Sequence, residues 1–156
     1  LHRTSEALSR SQLLLSAIGA SLHEAIYVKD RETRLLFANP AAVRILHAAA
    51  SSAADDFIGR TTLEILRNRT EAHAIDEADL RVMASGMAEV VEETLSGEAG
   101  ERVFRSVKAP LRNADGEIVG MVGVSHDITD QKRMEQALRT SETRLQAALQ
   151  GAALGT

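Results

Sequence analysis

The chain has 156 residues, of which 44% are apolar, so it can bury the core of one domain of ordinary size. Its net charge is −4, and it has only three Phe, one Tyr and no Trp. Because its basic residues are scattered and stacking aromatics are few, a nucleic-acid surface is not expected. The lack of Cys excludes disulfides, thiolate metal sites and thiol nucleophiles. No apolar run approaches the roughly 20 residues that a membrane helix needs, so no membrane contact is expected in this chain.

The first 20 residues have the pattern of a flanking helix. Leucine recurs every seven residues from Leu1 to Leu22, with Ile18 beside this stripe and polar residues on the other faces. The period then changes, and "EAIYVKD" and "LLFAN" are each typical of a short strand. Asn39 followed by Pro40 predicts a helix start, because Asn caps well and Pro suits the first helical position.

A longer amphipathic helix is predicted over "EAHAIDEADLRVMASG", with Ile75, Leu80 and Met83 inward and Gly86 at its end. A hairpin turn is predicted at "NADG", between the last two of three strand-like runs. These runs are Met87 to Leu95, Glu101 to Pro110 and Glu117 to His126. The helical period returns from Thr129. This order predicts an α+β fold, in which a five-stranded antiparallel sheet carries helices on one face.

Two segments of the chain are alike. "RTSEALSRSQLLLSAIGA" (residues 3–20) aligns without gaps on "RTSETRLQAALQGAALGT" (residues 139–156). We therefore expect that a second module of the same kind begins where this sequence stops. The first residue is Leu and not Met, so we also expect the chain to be part of a longer protein.

The chain resembles the PAS (Per-Arnt-Sim) sensory domains from about Ser21 to Lys132. The residues that carry the resemblance are "YVKDRETRLLFANPAA", "FIGRTTLEIL", "DLRVMASG" and "GERVFRSVKAPLRNADGEIVGMVGVSHDIT". The last of these is the most specific, with the pattern F-x5-P-L-x-N-x-D-G-x-I-x-G-x-x-G-x-x-x-D-I-T.

The resemblance implies a PAS fold with flanking N- and C-terminal helices. It divides the chain into a flanking helix (1–20), the sensor domain (21–128) and an exit helix that runs into the next module (129–156). It also implies a cytoplasmic sensory module of a bacterial-type multi-PAS protein, such as a two-component sensor, which is not itself an enzyme. An output domain, either a histidine kinase or a diguanylate cyclase, would lie outside this chain.

His126 in "SHDIT" lies in a sequence close to the box in which histidine kinases carry their phosphorylated imidazole. A phosphoacceptor His needs an exposed helical position and is usually followed by "LRTP". His126 is followed instead by "DITD", Asp127 to Asp130. We therefore predict that His126 ends a strand. The phosphoacceptor remains the third hypothesis for function, after a ligand sensor and a ligand-free PAS domain that only dimerises and relays.

The cofactor is not identified by the sequence. Haem-binding PAS domains take an axial His about three turns before the Gly that ends the long helix, and counting back from Gly86 reaches Ile75. His73 lies two residues away on a different helix face, so haem is not expected. LOV-type flavin photochemistry is excluded because it needs a Cys, while a non-covalent flavin stays an alternative. No spacing typical of metal ligands is recognisable.

Ligand-binding candidates follow from strand alternation and from the resemblance. Arg105 shares a strand face with Val103 and Val107; if that face lines the pocket, its guanidinium needs a partner, either an internal carboxylate or a small anionic ligand. If the phase is reversed, Arg105 is solvated. The resemblance places Met121 and Ser125 on the pocket side of the last strand. Gly120 and Gly123 in the last strand leave space for a ligand or for backbone. Tyr27 either adds a hydroxyl to the pocket or packs on the sheet, and Ile75 occupies the position of the haem ligand.

The last motif and the flanking helices are the candidates for signal relay and for dimerisation. The resemblance identifies Asp127, Ile128 and Thr129 as the exit motif, with Thr129 expected as the helix N-cap. The stripes of the two flanking helices suggest a homodimer, although packing on the chain's own sheet is the alternative. The candidate interface residues are Leu8, Leu15, Ile18, Met134, Leu138 and Leu145.

Overall fold

The computed structural model describes residues 23–51 and 56–154. The predicted N-terminal helix, with Leu8, Leu15 and Ile18, lies outside the described residues. In chain order, the elements are β1 (Ala25–Asp30), β2 (Leu35–Ala38), α1 (Pro40–Ala49), α2 (Thr62–Ile65), α3 (Arg69–Ser85), β3 (Glu89–Gly97), β4 (Gly100–Arg112), β5 (Ile118–Asp127) and α4 (Thr129–Leu154).

The five strands form one antiparallel sheet in the order β2-β1-β5-β4-β3. The central strand β5 pairs with β1 on one side and with β4 on the other, so that Tyr27, Gly123 and Lys108 lie side by side across the sheet. The hairpin between β4 and β5 turns at Asn113–Gly116, with Gly116 at a φ of +82°. The predicted α+β class and the antiparallel sheet are confirmed.

The helix ends follow the signals in the sequence. The side chain of Asn39 accepts from the backbone N–H of Ala42 at 2.9 Å, and Pro40 is the first residue of α1, as predicted. Gly86 ends α3 in the left-handed conformation, with a φ of +71° that favours glycine. Thr61 and Glu64 form a reciprocal capping box at the start of α2.

Helices α1 to α3 pack with the inner face of the sheet around an apolar core that contains Leu35, Phe57, Ile65, Leu66 and Ile75. The prediction that Leu80 faces inward was wrong, because 48% of its surface is exposed. Asp79 takes the inward position, four residues from both Ile75 and Met83 and therefore on the same helix face. In the described part of the chain, no helix is long and apolar enough to cross a membrane.

Candidate functional site

A cavity of about 80 Å³ lies between the inner face of the sheet and the helices. Its lining is almost wholly apolar, with Leu35, Leu46 and Phe104 among the contributors. Tyr27, Ser106 and Ser125 bring hydroxyl groups to it from neighbouring strands. Ile75 and Glu93 line both this cavity and an open groove along α3 and β3, so they stand where the cavity approaches the surface.

Four charged side chains form a buried cluster at the cavity, and two of them, Lys29 and Glu93, belong to the cavity lining. Asp79 on α3, with none of its side chain exposed, accepts from Lys29 Nζ at 2.7 Å through Oδ2 and from Lys108 Nζ at 2.6 Å through Oδ1. Lys108 also donates to Glu93 Oε2 at 2.6 Å, and Lys29 donates to the hydroxyl of Thr62 at 2.9 Å. The cluster joins α3 to strands β1, β3 and β4, and its formal charges cancel.

The charge of Lys108 is stabilised by its neighbours. Burial by itself would lower the pKa of the Lys108 ammonium, but Coulombic interactions with Tyr27, Asp79 and Glu93 raise it overall. The ammonium is therefore charged at neutral pH. Burial also raises the pKa of Tyr27 to about 12, so its phenol keeps its proton.

Tyr27 occupies the space that a glycine provides on the neighbouring strand. A Cβ atom added to Gly123 would collide with the ring of Tyr27, and one added to Gly120 would collide with the backbone of Lys29. The two glycines therefore make room for parts of β1, which are the backbone of Lys29 at Gly120 and the ring of Tyr27 at Gly123. The Tyr27 hydroxyl accepts from Ser125 Oγ at 3.2 Å, and Ser125 is 2.7 Å from Ser106 Oγ.

The structure brings together three of the five ligand-binding candidates. Tyr27, Ser125 and Ile75 line the cavity. Met121 is fully buried on the same sheet face but is not part of the cavity lining.

The candidate Arg105 has to be corrected, because its side chain does not face the cavity. The alternation of inward and outward side chains along β4 is the reverse of the one that would place Arg105 inside. Phe104, Ser106 and Lys108 are buried, whereas Arg105 is exposed on the outer face opposite His126. The reason given for an anionic ligand therefore no longer holds.

The cations of the site are Lys29, which belongs to the cavity lining, and Lys108 behind it, and sequence reasoning missed both together with Asp79 and Glu93. A signal was present, because Lys108 alternates with Phe104 and Ser106, and Asp79 lies on the stripe of Ile75 and Met83. The paired opposite charges lie 15 to 50 residues apart in sequence, so their pairing could not be read from local patterns.

The histidines considered above lie outside the cavity. His126 is the next-to-last residue of β5 and lies on the outer face, with 62% of its side chain exposed and Nδ1 3.7 Å from Glu24 Oε1. His73 is exposed on α3, while Ile75 occupies the inward position, as predicted. Among residues 23–51 and 56–154, no group of three or more acidic or histidine side chains is placed to hold a metal ion.

The exit motif is bonded to β4. The Ile128 N–H donates to the Val103 carbonyl at 2.9 Å, and the Val103 N–H donates to Thr129 Oγ1 at 2.8 Å. Asp127 accepts from the Thr129 N–H at 2.9 Å and pairs with Arg102 at 2.8 Å.

Thr129 was expected as the N-cap, but it is the first residue of α4, and Asp127 makes the capping contact instead. Burial by itself would raise the pKa of Asp127, but its bonds to Thr129 and Arg102 lower it overall.

Helix α4 leaves the domain with its apolar stripe exposed. Met134, Leu138 and Leu145 are 72%, 61% and 61% exposed, and Leu149 extends the same stripe. The predicted alternative, in which this helix packs on its own sheet, does not describe residues 130–152, all of which are exposed.

Known proteins share this fold and sequence pattern. The family described as "PAS fold" matches residues 20–133, so the chain belongs to the PAS family of sensory domains. The chain is 32% identical over 133 residues to the methanogenesis regulatory histidine kinase FilI of Methanothrix harundinacea. It is 29% identical over 136 residues to a diguanylate cyclase of Vibrio cholerae. Each match covers 85% of this chain, which spans 14% of FilI and 40% of the cyclase.

A solved structure agrees with the fold. The PAS domain of BvgS from Bordetella pertussis superposes with a TM-score of 0.66 at 22% identity, covering 89% of this chain and 98% of that domain. The chain is therefore a PAS domain that is similar in sequence to parts of signalling proteins, as the resemblance implied.

Proposed function

We propose that this PAS domain is a sensor that binds a small ligand in the cavity and passes the change through the exit motif into α4. The proposal rests on strand β5, which contributes residues both to the cavity and to the start of the exit helix. On β5, Ser125 lines the cavity, and Asp127, two residues and about 7 Å further along, caps the exit helix.

The neighbouring strand supports the same route. Phe104 and Ser106 of β4 line the cavity, while Arg102 and Val103 bind the exit motif. A ligand that shifts β4 against β5 would alter the bonds that fix the start of α4. Because these bonds link two rigid elements, a small displacement in the cavity changes the direction or order of the helix.

The partners that fit this proposal are a second copy of the chain and an output domain joined to it. An isolated helix with all faces in water is only marginally stable, and the exposed stripe of α4 has the spacing of a dimer seam. A cytoplasmic two-component or cyclase protein remains our expectation for the parent, since the relatives named above are a histidine kinase and a diguanylate cyclase.

A second candidate is a ligand-free domain that only dimerises and relays. The small cavity and the internal pairing of all four ionised groups favour it. The phosphoacceptor hypothesis finds no support, because His126 lies at a strand end and not on a helix.

Native mass spectrometry of the purified protein distinguishes the first two candidates. The ligand sensor predicts a co-purified small mass in the wild type. The substitution Ala42→Leu, which fills the cavity from α1, is expected to remove this mass. The matched control Ala48→Leu adds the same atoms at an exposed position of α1 and should retain it. A wild-type protein that carries no small mass and binds none from a cell extract would favour the relay.

A further inference from the structure

We infer that the ligand of this cavity is a small uncharged molecule with a hydrogen-bond acceptor, such as a short amide, ketone or aldehyde. This inference rests on the proposed ligand-binding function and names the chemistry of that site.

The charge balance of the cavity excludes an ion of either sign. Asp79 gives one oxygen to Lys29 and the other to Lys108, and Lys108 is shared with Glu93. An anionic ligand would have to displace one of these carboxylates or remain without a counter-ion in an apolar enclosure. A cationic ligand would meet two ammonium groups that already hold the carboxylates. Both arrangements bury an unpaired charge, which is strongly unfavourable, whereas an uncharged ligand leaves the cluster intact.

The acceptor requirement comes from Tyr27. Its hydroxyl oxygen accepts from Ser125, and within the described residues its own proton has no acceptor. The group lies in the cavity lining, so the proton is available to an occupant. A carbonyl oxygen of the ligand would complete the chain of hydroxyls that starts at Ser106.

The volume limits the size of the ligand. A dry cavity of about 150 Å³ accommodates benzene, and the cavity here measures about 80 Å³. About half that volume leaves room for roughly three or four non-hydrogen atoms, such as a methyl group joined to one polar group, with the methyl group against Leu35, Leu46 and Phe104.

Acetamide and acetate test the inference, because they have nearly the same shape and differ in charge. We expect acetamide to shift the backbone NMR signals of Tyr27 and Ser125 in the wild type, and acetate at neutral pH to leave them unchanged. Tyr27→Phe should weaken the binding of acetamide about threefold to tenfold, because one neutral hydrogen bond is lost. Thr94→Val, which removes a hydroxyl on β3 outside the cavity lining, is the control and should leave binding unchanged.

Three results would overturn the inference. Acetate binding at Tyr27 as tightly as acetamide would show that the cavity accepts an anion. If neither probe binds although the purified protein carries a small mass, the inferred chemistry fails while the ligand sensor stands. If neither probe binds and no mass is carried, the inference fails together with the proposed function.

Discussion

The ring of Tyr27 lies in the space left by the missing side chain of Gly123, its partner across β1 and β5. We expect Gly123→Ala to push the ring toward the cavity and to lower the free energy of unfolding by about 1 to 3 kcal/mol, because the site becomes overpacked. In a Tyr27→Ala background, the same substitution should cost much less. Urea unfolding of the four variants measures this coupling, and equal costs in both backgrounds would show that the two residues do not compete for space.

The buried phenol of Tyr27 predicts a loss of stability at high pH. Its pKa is raised from 10.0 to about 12 in the folded protein, so below pH 10 both the folded and the unfolded chain hold the proton. Between pH 10 and 12, the unfolded chain ionises first, and the folded state loses up to about 2 to 3 kcal/mol. Tyr27→Phe should lack this loss.

The chain offers a direct measurement of this pKa, because Tyr27 is its one tyrosine and there is no Trp. The ultraviolet absorbance of tyrosinate, followed in the folded and in the urea-unfolded protein, should show midpoints about 2 pH units apart. Coincident midpoints would mean that the phenol is solvated in the folded state.

Asp79 is expected to be the most sensitive member of the buried cluster. Asp79→Asn leaves Lys29 and Lys108 with one carboxylate between them, and we expect a loss of about 3 to 5 kcal/mol in the free energy of unfolding. The control Glu89→Gln breaks a half-exposed pair with Arg81 and should cost less than about 1 kcal/mol.

A double substitution tests whether the stability lost in Asp79→Asn is due to unpaired charge or to altered packing. Lys29→Met combined with Asp79→Leu leaves Lys108 paired with Glu93, and it should recover most of the stability lost in Asp79→Asn. Similar small losses for Asp79→Asn and Glu89→Gln in urea titrations would show that the cluster is solvated.

The order of elements was predictable from the sequence, since the caps at Asn39 and Gly86 and the "NADG" turn are local signals. The phase of β4 was not, because Val103 and Val107 made the exposed face the more apolar of the two. Lys108 faces inward only because carboxylates from α3 and β3 reach it, and such long-range compensation leaves no periodic pattern. For the same reason, the sequence offered Arg105, and not Lys108, as a candidate for the pocket.

The exposed stripe of α4 predicts that the chain is a dimer in solution. Leu138→Glu should shift the sedimentation of the protein toward the monomer, because it places a charge in the seam. The free energy of unfolding of this variant, extrapolated to low protein concentration where the chain is a monomer, should differ little from that of the wild type. Gln136→Glu adds the same charge on another exposed face of α4 and should leave the dimer intact. A wild type that sediments as a monomer, or a dimer unaffected by Leu138→Glu, would contradict the assignment.

Hydrogen exchange at the amides of Val103, Ile128 and Lys132 tests the coupling of cavity and exit helix most directly, because these three donors fix the start of α4. With the cavity filled by Ala42→Leu, we expect their exchange rates to change severalfold relative to wild type and to the exposed control Ala48→Leu. If all three proteins exchange at the same rates while the cavity in Ala42→Leu is filled, occupation of the cavity does not reach α4, and the sensory account is wrong.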